Sequence, residues 1–597
     1  MRTIKLLCLG AAAFTLTGQL VLAGSSGTGF TYQGRLFIGD VPANGLYDLQ
    51  FTNYDAAAGG TALGGFNTNA LPVTNGLFTV TLDFGAVFDG TPRWLEISER
   101  TNTVGAFGTL APRQLLAAAP YATYAASAGS VPGLTILQNS SGAPNVVAGS
   151  PLNWVASGVV GATIAGGGAS NYDGHIVTNS VSADFGTIGG GNQNTIQTEA
   201  NWATIGGGDD NTIQNDADVA TIGGGSENTI SNWSGETTIA GGFQNVIQPY
   251  VTAGTIGGGN QNKIQTQANW ATIGGGAVNT IQDNDEHATI SGGSYNTIQA
   301  NAIYATIGGG KGNVIGNNSL WATIGGGSNN TIQASASNST IGGGDNDVIQ
   351  TAADHATIGG GWANTVQTSA AKATIGGGED NAIWASADHA TIGGGYGNVI
   401  QQNAYYATIP GGYENIAANY AFAAGNHAQA VHTGAFVWAD SSGGSFSSTA
   451  NNQFAARAIG GFAFFTSVSG GATLATGSGS WTSMSDRNAK ENFAPLDPQS
   501  VLAKVAALPL TTWNYKAQDP AIRHLGPMAQ DFKAAFGLGE TDTGITGVDA
   551  DGVALAAIQG LNQKLEETRA DNAALRADNA DLKARLEKLE RLLKPSN

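Results

Sequence analysis

The sequence predicts a mainly β protein in three parts: an N-terminal β-sandwich, a β-roll or β-solenoid of 17-residue repeats, and a C-terminal α+β domain ending in a coiled coil. Three observations carry this prediction. Glycine supplies 89 of 597 residues while charged side chains make up only 11%, a bias foreign to an ordinary enzyme core and to a charge-rich disordered chain. One Thr-Ile pattern returns every 17 residues across fourteen units without an insertion or deletion, which is the mark of a solenoid. At Ser485 the Gly-, Ser- and Ala-rich composition gives way abruptly to helical, charged sequence. The balance of 24 Lys+Arg against 43 Asp+Glu leaves a net charge of −19 and a pI of about 4.6. Nucleic acid is therefore excluded as a partner held through a basic surface.

Residues 1–23 read as a signal peptide: Arg2 and Lys5 precede the apolar run Leu6 to Leu16, and Val21-Leu22-Ala23 offers small-residue cleavage after Ala23. The protein is expected to be secreted, extracellular or at the cell surface. The run is shorter than the ~20 apolar residues of a membrane span, and no transmembrane segment is expected in the mature chain. The one cysteine, Cys8, lies inside the signal, which removes disulfides and thiolate metal sites from the mature chain.

Residues 29–126 predict a separate β-sandwich-like module. Stretches such as Tyr47-Asp48-Leu49-Gln50-Phe51, Leu77 to Leu82 and Arg93 to Ile97 alternate at period two between Gly, Pro and Asn turns. Tyr32-Gln33-Gly34-Arg35-Leu36, Pro112-Arg113-Gln114 and Pro120-Tyr121-Ala122 resemble a module at the N-termini of bacterial surface proteins. Nothing in the module forms a catalytic constellation. The Ala-, Ser- and Gly-rich passage beyond Ala117 leads into a linker over 127–149.

Residues 150–425 hold the repeat. Its units begin at Thr187 and every 17 residues up to Thr408, and an earlier copy at Thr163 stands 24 residues before Thr187, so that turn carries a seven-residue insertion. Each unit has Ile after its Thr, Gly at the third and fourth positions beyond it, and an Asn two positions before a second aliphatic, replaced once by Asp347. Two short strands per turn put an isoleucine inward, the glycines take positive φ at the bend, and each Asn pairs with the Asn above and below. A turn burying two aliphatic side chains, ~1.5–3 kcal/mol each, cannot offset the ordering of its residues, so neighbouring coils and other chains must contribute. A flat two-sided roll associated as a homotrimer is expected, and in that form the repeat resembles the head repeats of trimeric surface adhesins.

Fifteen residues into each unit lies a variable column in which aromatics and histidines are over-represented: Trp202, Trp270, His287, Tyr304, Trp321 and Tyr406 among them. Spaced ~4.8 Å along the axis, these side chains either form a platform for a glycan or cell-surface ligand, or cover a trimer seam and glycine-thin backbone. A metal site at His287, His355 and His389 is disfavoured because they are coils apart, and Asp209, Asp210, Asp345, Asp347 and Asp380 recur too irregularly for calcium coordination. No metal and no cofactor is expected.

Residues 426–484 are expected to form a cap, neck and linker, and residues 485–555 a distinct domain. Ser485-Asp486-Arg487 with Lys490 and Asn492, then Leu508-Pro509, Trp513-Asn514-Tyr515, His524 to Phe532 and Val548 to Ala554 together resemble the endosialidase-type intramolecular chaperone of phage tailspikes. That resemblance implies a domain that assists trimerisation and folding of a β-rich stalk, then releases itself by autoproteolysis. It further implies Ser485 as nucleophile, Lys490 as its base and Met484–Ser485 as the cleaved bond. Ala489 stands where the family more often has a bulkier apolar residue. A serine hydroxyl needs a base, and a lysine serves if desolvation lowers its pKa. Five residues apart, the two point ~140° apart in a helix and to opposite faces of a strand, so they must meet across a bend or across chains. The competing reading makes Ser485 or Asp486 a helix cap and Lys490 a solvated side chain.

From 556 to 594 apolar residues alternate in steps of three and four, through Ile558, Leu561, Leu565, Leu575, Leu582, Leu586, Leu589 and Leu593, with Asn572 and Asn579 placed to set register. This is a coiled coil, and the resemblance makes it a trimer. Two functions compete: a secreted, adhesin-like fibrous trimer that acts as a serine peptidase only on its own chain, and a secreted β-helical protein that binds or degrades polysaccharide. Catalysis on a polysaccharide needs a local cluster of carboxylates, which interrupts a repeat, and the clean units argue against it.

Overall fold

The structure, a computed structural model, describes residues 28–593 except 86, 90, 117–130 and 469. The expected signal peptide and most of the passage after Leu116 lie outside the described residues. The chain divides into two compact units that meet in sequence at Gly344 and Asp345, and both are mainly β.

The first unit opens with an antiparallel sheet in which Gly45–Tyr54 lies between Ala62–Val73 and Arg93–Thr101, with Gly108–Leu116 on the far side of Arg93–Thr101. A second antiparallel pair joins Phe30–Arg35 to Leu77–Leu82. The alternation in Leu77–Leu82 places Phe78, Val80 and Leu82 in one apolar core with Leu49, Phe51 and Leu95. Gly34 sits over this core, and a Cβ there would meet the Phe78 ring at 2.3 Å.

Parallel pairing begins at residues expected to be linker. Leu134–Leu137 lies antiparallel on Asn145–Ala148, which pairs in parallel with Thr163–Ile164, and that strand pairs with Thr187–Ile188. From there each coil contributes two strands of two residues. Thr187 faces Thr204 and Ile188 faces Ile205 in one sheet, while Thr195 faces Thr212 and Ile196 faces Ile213 in the other. Both isoleucine columns are fully buried, as are alanines at 200, 203, 217 and 220. The strands are shorter than the sequence suggested, because the flanking residues turn corners rather than extend. The seven-residue insertion is the hairpin Ala169–Tyr172 with His175–Val177, turned through Asp173 and Gly174 at φ +48° and +82°.

Glycines at the bend take positive φ as expected, with Gly190 at +150° and Gly191 at +83°. Added Cβ atoms explain their neighbour: at Gly189 one would stand 2.2 Å from the Gly206 carbonyl oxygen of the next coil. Three further corners per coil adopt the left-handed region with ordinary residues, as at Gln193, Glu199 and Trp202, φ +55°, +60° and +57°. The sequence carries no glycine signal there. Interchain-like hydrogen bonds along the stack hold these corners instead, for example Trp202 N–H to the Asp184 carbonyl at 3.0 Å.

The second unit continues the pattern from Asp345, with Thr357 facing Thr374 and Thr365 facing Ala382. Parallel pairing runs past residue 425, where the period dissolves, through Phe422–Asn426, Phe436–Ala439 and Phe454–Arg457. Phe422, Phe436 and Phe454 stack at centroid distances of 4.5 and 4.7 Å. A three-stranded antiparallel sheet follows, Phe462–Phe465, Gly471–Leu474 and Thr482–Ser483. The remainder is a small helical region: Pro498–Ala507, Ala529–Phe536 and the 47-residue helix Gly547–Leu593. Val501, Phe532, Val553, Ala556 and Ala557 form its core.

Candidate functional site

Ser485 and Lys490 meet. Lys490 Nζ donates to Ser485 Oγ at 2.6 Å, and the contact is made within one chain across a bend. The bend is a single 3₁₀ turn, Arg487–Ala489, preceded by Asp486 and followed by Lys490, both in extended conformation. Asp486 accepts from the Asn488 N–H at 2.9 Å and the Asn488 side-chain amide at 3.2 Å. The Lys490 N–H donates to the Arg487 carbonyl at 3.2 Å, so the chain emerges with the lysine stem turned back over Ser485. Asp486 therefore caps a turn and Lys490 contacts the serine, which joins the two readings that the sequence set against each other. Ser485 and Lys490 are both exposed in the single chain.

The peptide bond on the N-terminal side of Ser485 follows directly on an ordered edge. Thr482 and Ser483 pair with Thr473 and Ala472, and the Met484 N–H donates to the Gly471 carbonyl at 3.0 Å. Cutting after Met484 would leave this sheet whole on the upstream side. The motif residues farther on also assemble: Thr511–Trp513 pairs with His524–Gly526, and Trp513, Tyr515 and His524 group with ring centroids 4.8 to 5.5 Å apart.

In the solenoid the aromatic column forms stacks. Trp270, His287, Tyr304 and Trp321 lie nearly parallel with centroids 5.0, 4.8 and 5.8 Å apart. Phe185 stacks on Trp202, and His389 on Tyr406. Within each stack the ring faces cover one another, so a ligand meets edges there and finds a free face only at a stack's end. Each of these rings stands at a left-handed corner, with φ +54° to +61°.

Asp285 was not signalled by any motif. It occupies a column otherwise filled by Ala200, Ala217, Ala268 and Ala302, and it is fully buried. Its Oδ1 accepts from the Ala302 N–H at 2.6 Å, and burial pushes its carboxyl up to about 8. Asp347, in the Asn column, is also fully buried and its carboxyl is raised by burial.

A solenoid followed by a helical region that opens on a hydrogen-bonded Ser–Lys pair defines a class, a β-repeat protein with an appended folding domain. Residues 485–537 match the family described as chaperone of endosialidase, and the match starts at Ser485, so the C-terminal region has the endosialidase-type architecture that its motifs predict. Residues 31–113 match a domain of unknown function, DUF8740. No curated protein and no solved structure matches the chain.

Proposed function

We propose that the protein is a secreted or cell-surface, adhesin-like fibrous homotrimer whose C-terminal region acts as an intramolecular chaperone and cleaves its own chain before Ser485. The observation that carries this reading is the 2.6 Å contact of Lys490 Nζ with Ser485 Oγ at the residue where the family match starts. In the reaction Ser485 Oγ attacks the Met484 carbonyl carbon while Lys490 takes the hydroxyl proton. The peptide C–N bond then breaks, the Ser485 nitrogen is protonated and leaves, and water releases the Met484 carboxylate from the acyl intermediate.

Lysine accepts a proton only when neutral, a state that loss of water favours. Exposure of the pair in one chain therefore favours a mechanism in which packing of further chains covers it and ties cleavage to assembly. The helix Gly547–Leu593 supports a trimeric coiled coil, since Leu561, Leu575, Leu582 and Leu589 are 55–60% exposed along its seam. Among the described residues no helix is long and apolar enough to cross a membrane. The N-terminal module is read as a β-sandwich around its shared core.

Gel electrophoresis with intact-mass analysis tests the proposal. Wild type should release a fragment from Ser485 to Asn597, while Ser485→Ala, Lys490→Ala and Lys490→Arg should each leave full-length trimers, because arginine stays protonated. Cleavage persisting in Ser485→Ala, or a fragment starting elsewhere, overturns it.

A further inference from the structure

We infer that Asp486 is a positioning residue for this cleavage, acting through the turn that carries Lys490; the inference rests on the self-cleavage reading. Residues five apart do not meet in a regular helix or strand. Here they meet because three residues, Arg487–Ala489, form one 3₁₀ turn. An isolated turn of this kind is weak, since few hydrogen bonds fix its dihedrals. Two backbone bonds close it, Ala489 N–H to the Asp486 carbonyl and Lys490 N–H to the Arg487 carbonyl, both at 3.2 Å. The Asn488 N–H would otherwise be left to water, and it is the Asp486 carboxylate that takes it, at 2.9 Å. The same oxygen holds the Asn488 side-chain amide at 3.2 Å.

This arrangement has a second chemical consequence. A carboxylate next to a lysine ordinarily pairs with the ammonium and holds its proton in place, which would spoil the lysine as a base. Asp486 directs its Oδ1 to Asn488 instead, and Lys490 Nζ is given to Ser485 Oγ. The needed property is an acceptor that caps the turn, and a negative charge is dispensable. Asparagine and serine also serve as caps, whereas alanine does not.

The test compares the rate of fragment release in the full chain for wild type, Asp486→Ala, Asp486→Asn and Asp486→Ser, with trimer content measured by sedimentation in each. Asp486→Ala should cleave about tenfold or more slowly as a trimer, while Asp486→Asn and Asp486→Ser recover to within a few-fold of wild type. Wild-type cleavage in Asp486→Ala overturns the positioning role alone. Asp486→Asn and Asp486→Ser as slow as Asp486→Ala would assign the effect to charge and overturn it too, as would loss of trimer in parallel with loss of cleavage. Ser485→Ala is the control: cleavage there removes the self-cleavage reading and this inference with it.

Discussion

Asn211 donates from its side-chain amide to the side-chain carbonyl of Asn194, one coil earlier, at 2.9 Å, and both residues are fully buried. The same amide also reaches the carbonyls of Gly207 and Gly225 at 3.1 and 2.9 Å. The column is thus an internal polar ladder that satisfies the backbone of the glycine bend, where no strand pairing can.

Replacing one rung tests this. Asn279→Leu removes the acceptor that receives the Asn296 N–H and side-chain amide, both at 3.1 Å, and the donor to Gly275 and Gly293. Each orphaned group costs about 1–3 kcal/mol. Hydrogen exchange should accelerate at the Asn296 amide and the adjoining coils, and unchanged protection at Asn296 would refute the ladder's role.

Asp285 gives a pH dependence whose sign follows from burial. Its folded carboxyl is raised from 3.8 to about 8, so the folded state binds its proton more tightly than the unfolded chain does. The stability tied to this residue is full below about pH 4, falls as pH rises toward 8 and is flat above. Asp285→Ala restores the residue of the neighbouring coils and should flatten that slope, leaving the variant more stable than wild type at pH 8 by a few kcal/mol on the order-of-magnitude scale of ~1.4 per pH unit. Thermal unfolding at pH 5 and pH 8 measures it, and equal slopes in the two proteins would contradict the assignment.

Gly560 lies in the long helix against Pro498, and a Cβ there would stand 2.2 Å from the Pro498 carbonyl oxygen. Helix propensity alone predicts that Gly→Ala stabilises by about 1 kcal/mol, but backbone cannot yield as a side-chain end can. Gly560→Ala should therefore undock Pro498–Ala507 and lower the melting temperature. Gly552→Ala, in the same helix with open space at its Cβ, should raise it. The same sign for both would show that the close approach is unimportant.

Val219 holds φ +59° at a corner and is half exposed. A β-branched residue is strained there, while asparagine tolerates the left-handed region. Val219→Asn should stabilise by about 1 kcal/mol in denaturant unfolding, with no change in the stacks farther along the column.

Much of this was legible in the sequence because a strict repeat fixes its own contacts. Once Thr187, Thr204 and Thr221 recur every 17 residues, identical neighbours stack and their isoleucines share one side. The chaperone region was legible through ordered motifs beginning at Ser485, and the family match covers that same start. The ends of the solenoid were harder, since Leu134–Leu137 and Phe454–Arg457 join the sheets without the 17-residue period. Pairing there depends on backbone fit to the adjacent coil, which no local pattern reports.

The sequence by itself determined the β-repeat, its inward isoleucines, its asparagine ladder and the place of the Ser–Lys pair, because periodicity and motif order are properties of the chain read in one dimension. Only the tertiary structure decided the rest. It put Gln193, Glu199 and Trp202 at left-handed corners that coil-to-coil hydrogen bonds impose. It turned Trp270, His287, Tyr304 and Trp321 from a row of exposed faces into a stack of covered ones. It closed Lys490 onto Ser485 within one chain. Each of these depends on where a neighbouring coil or a capped turn holds the backbone, and side-chain identity alone does not specify that position.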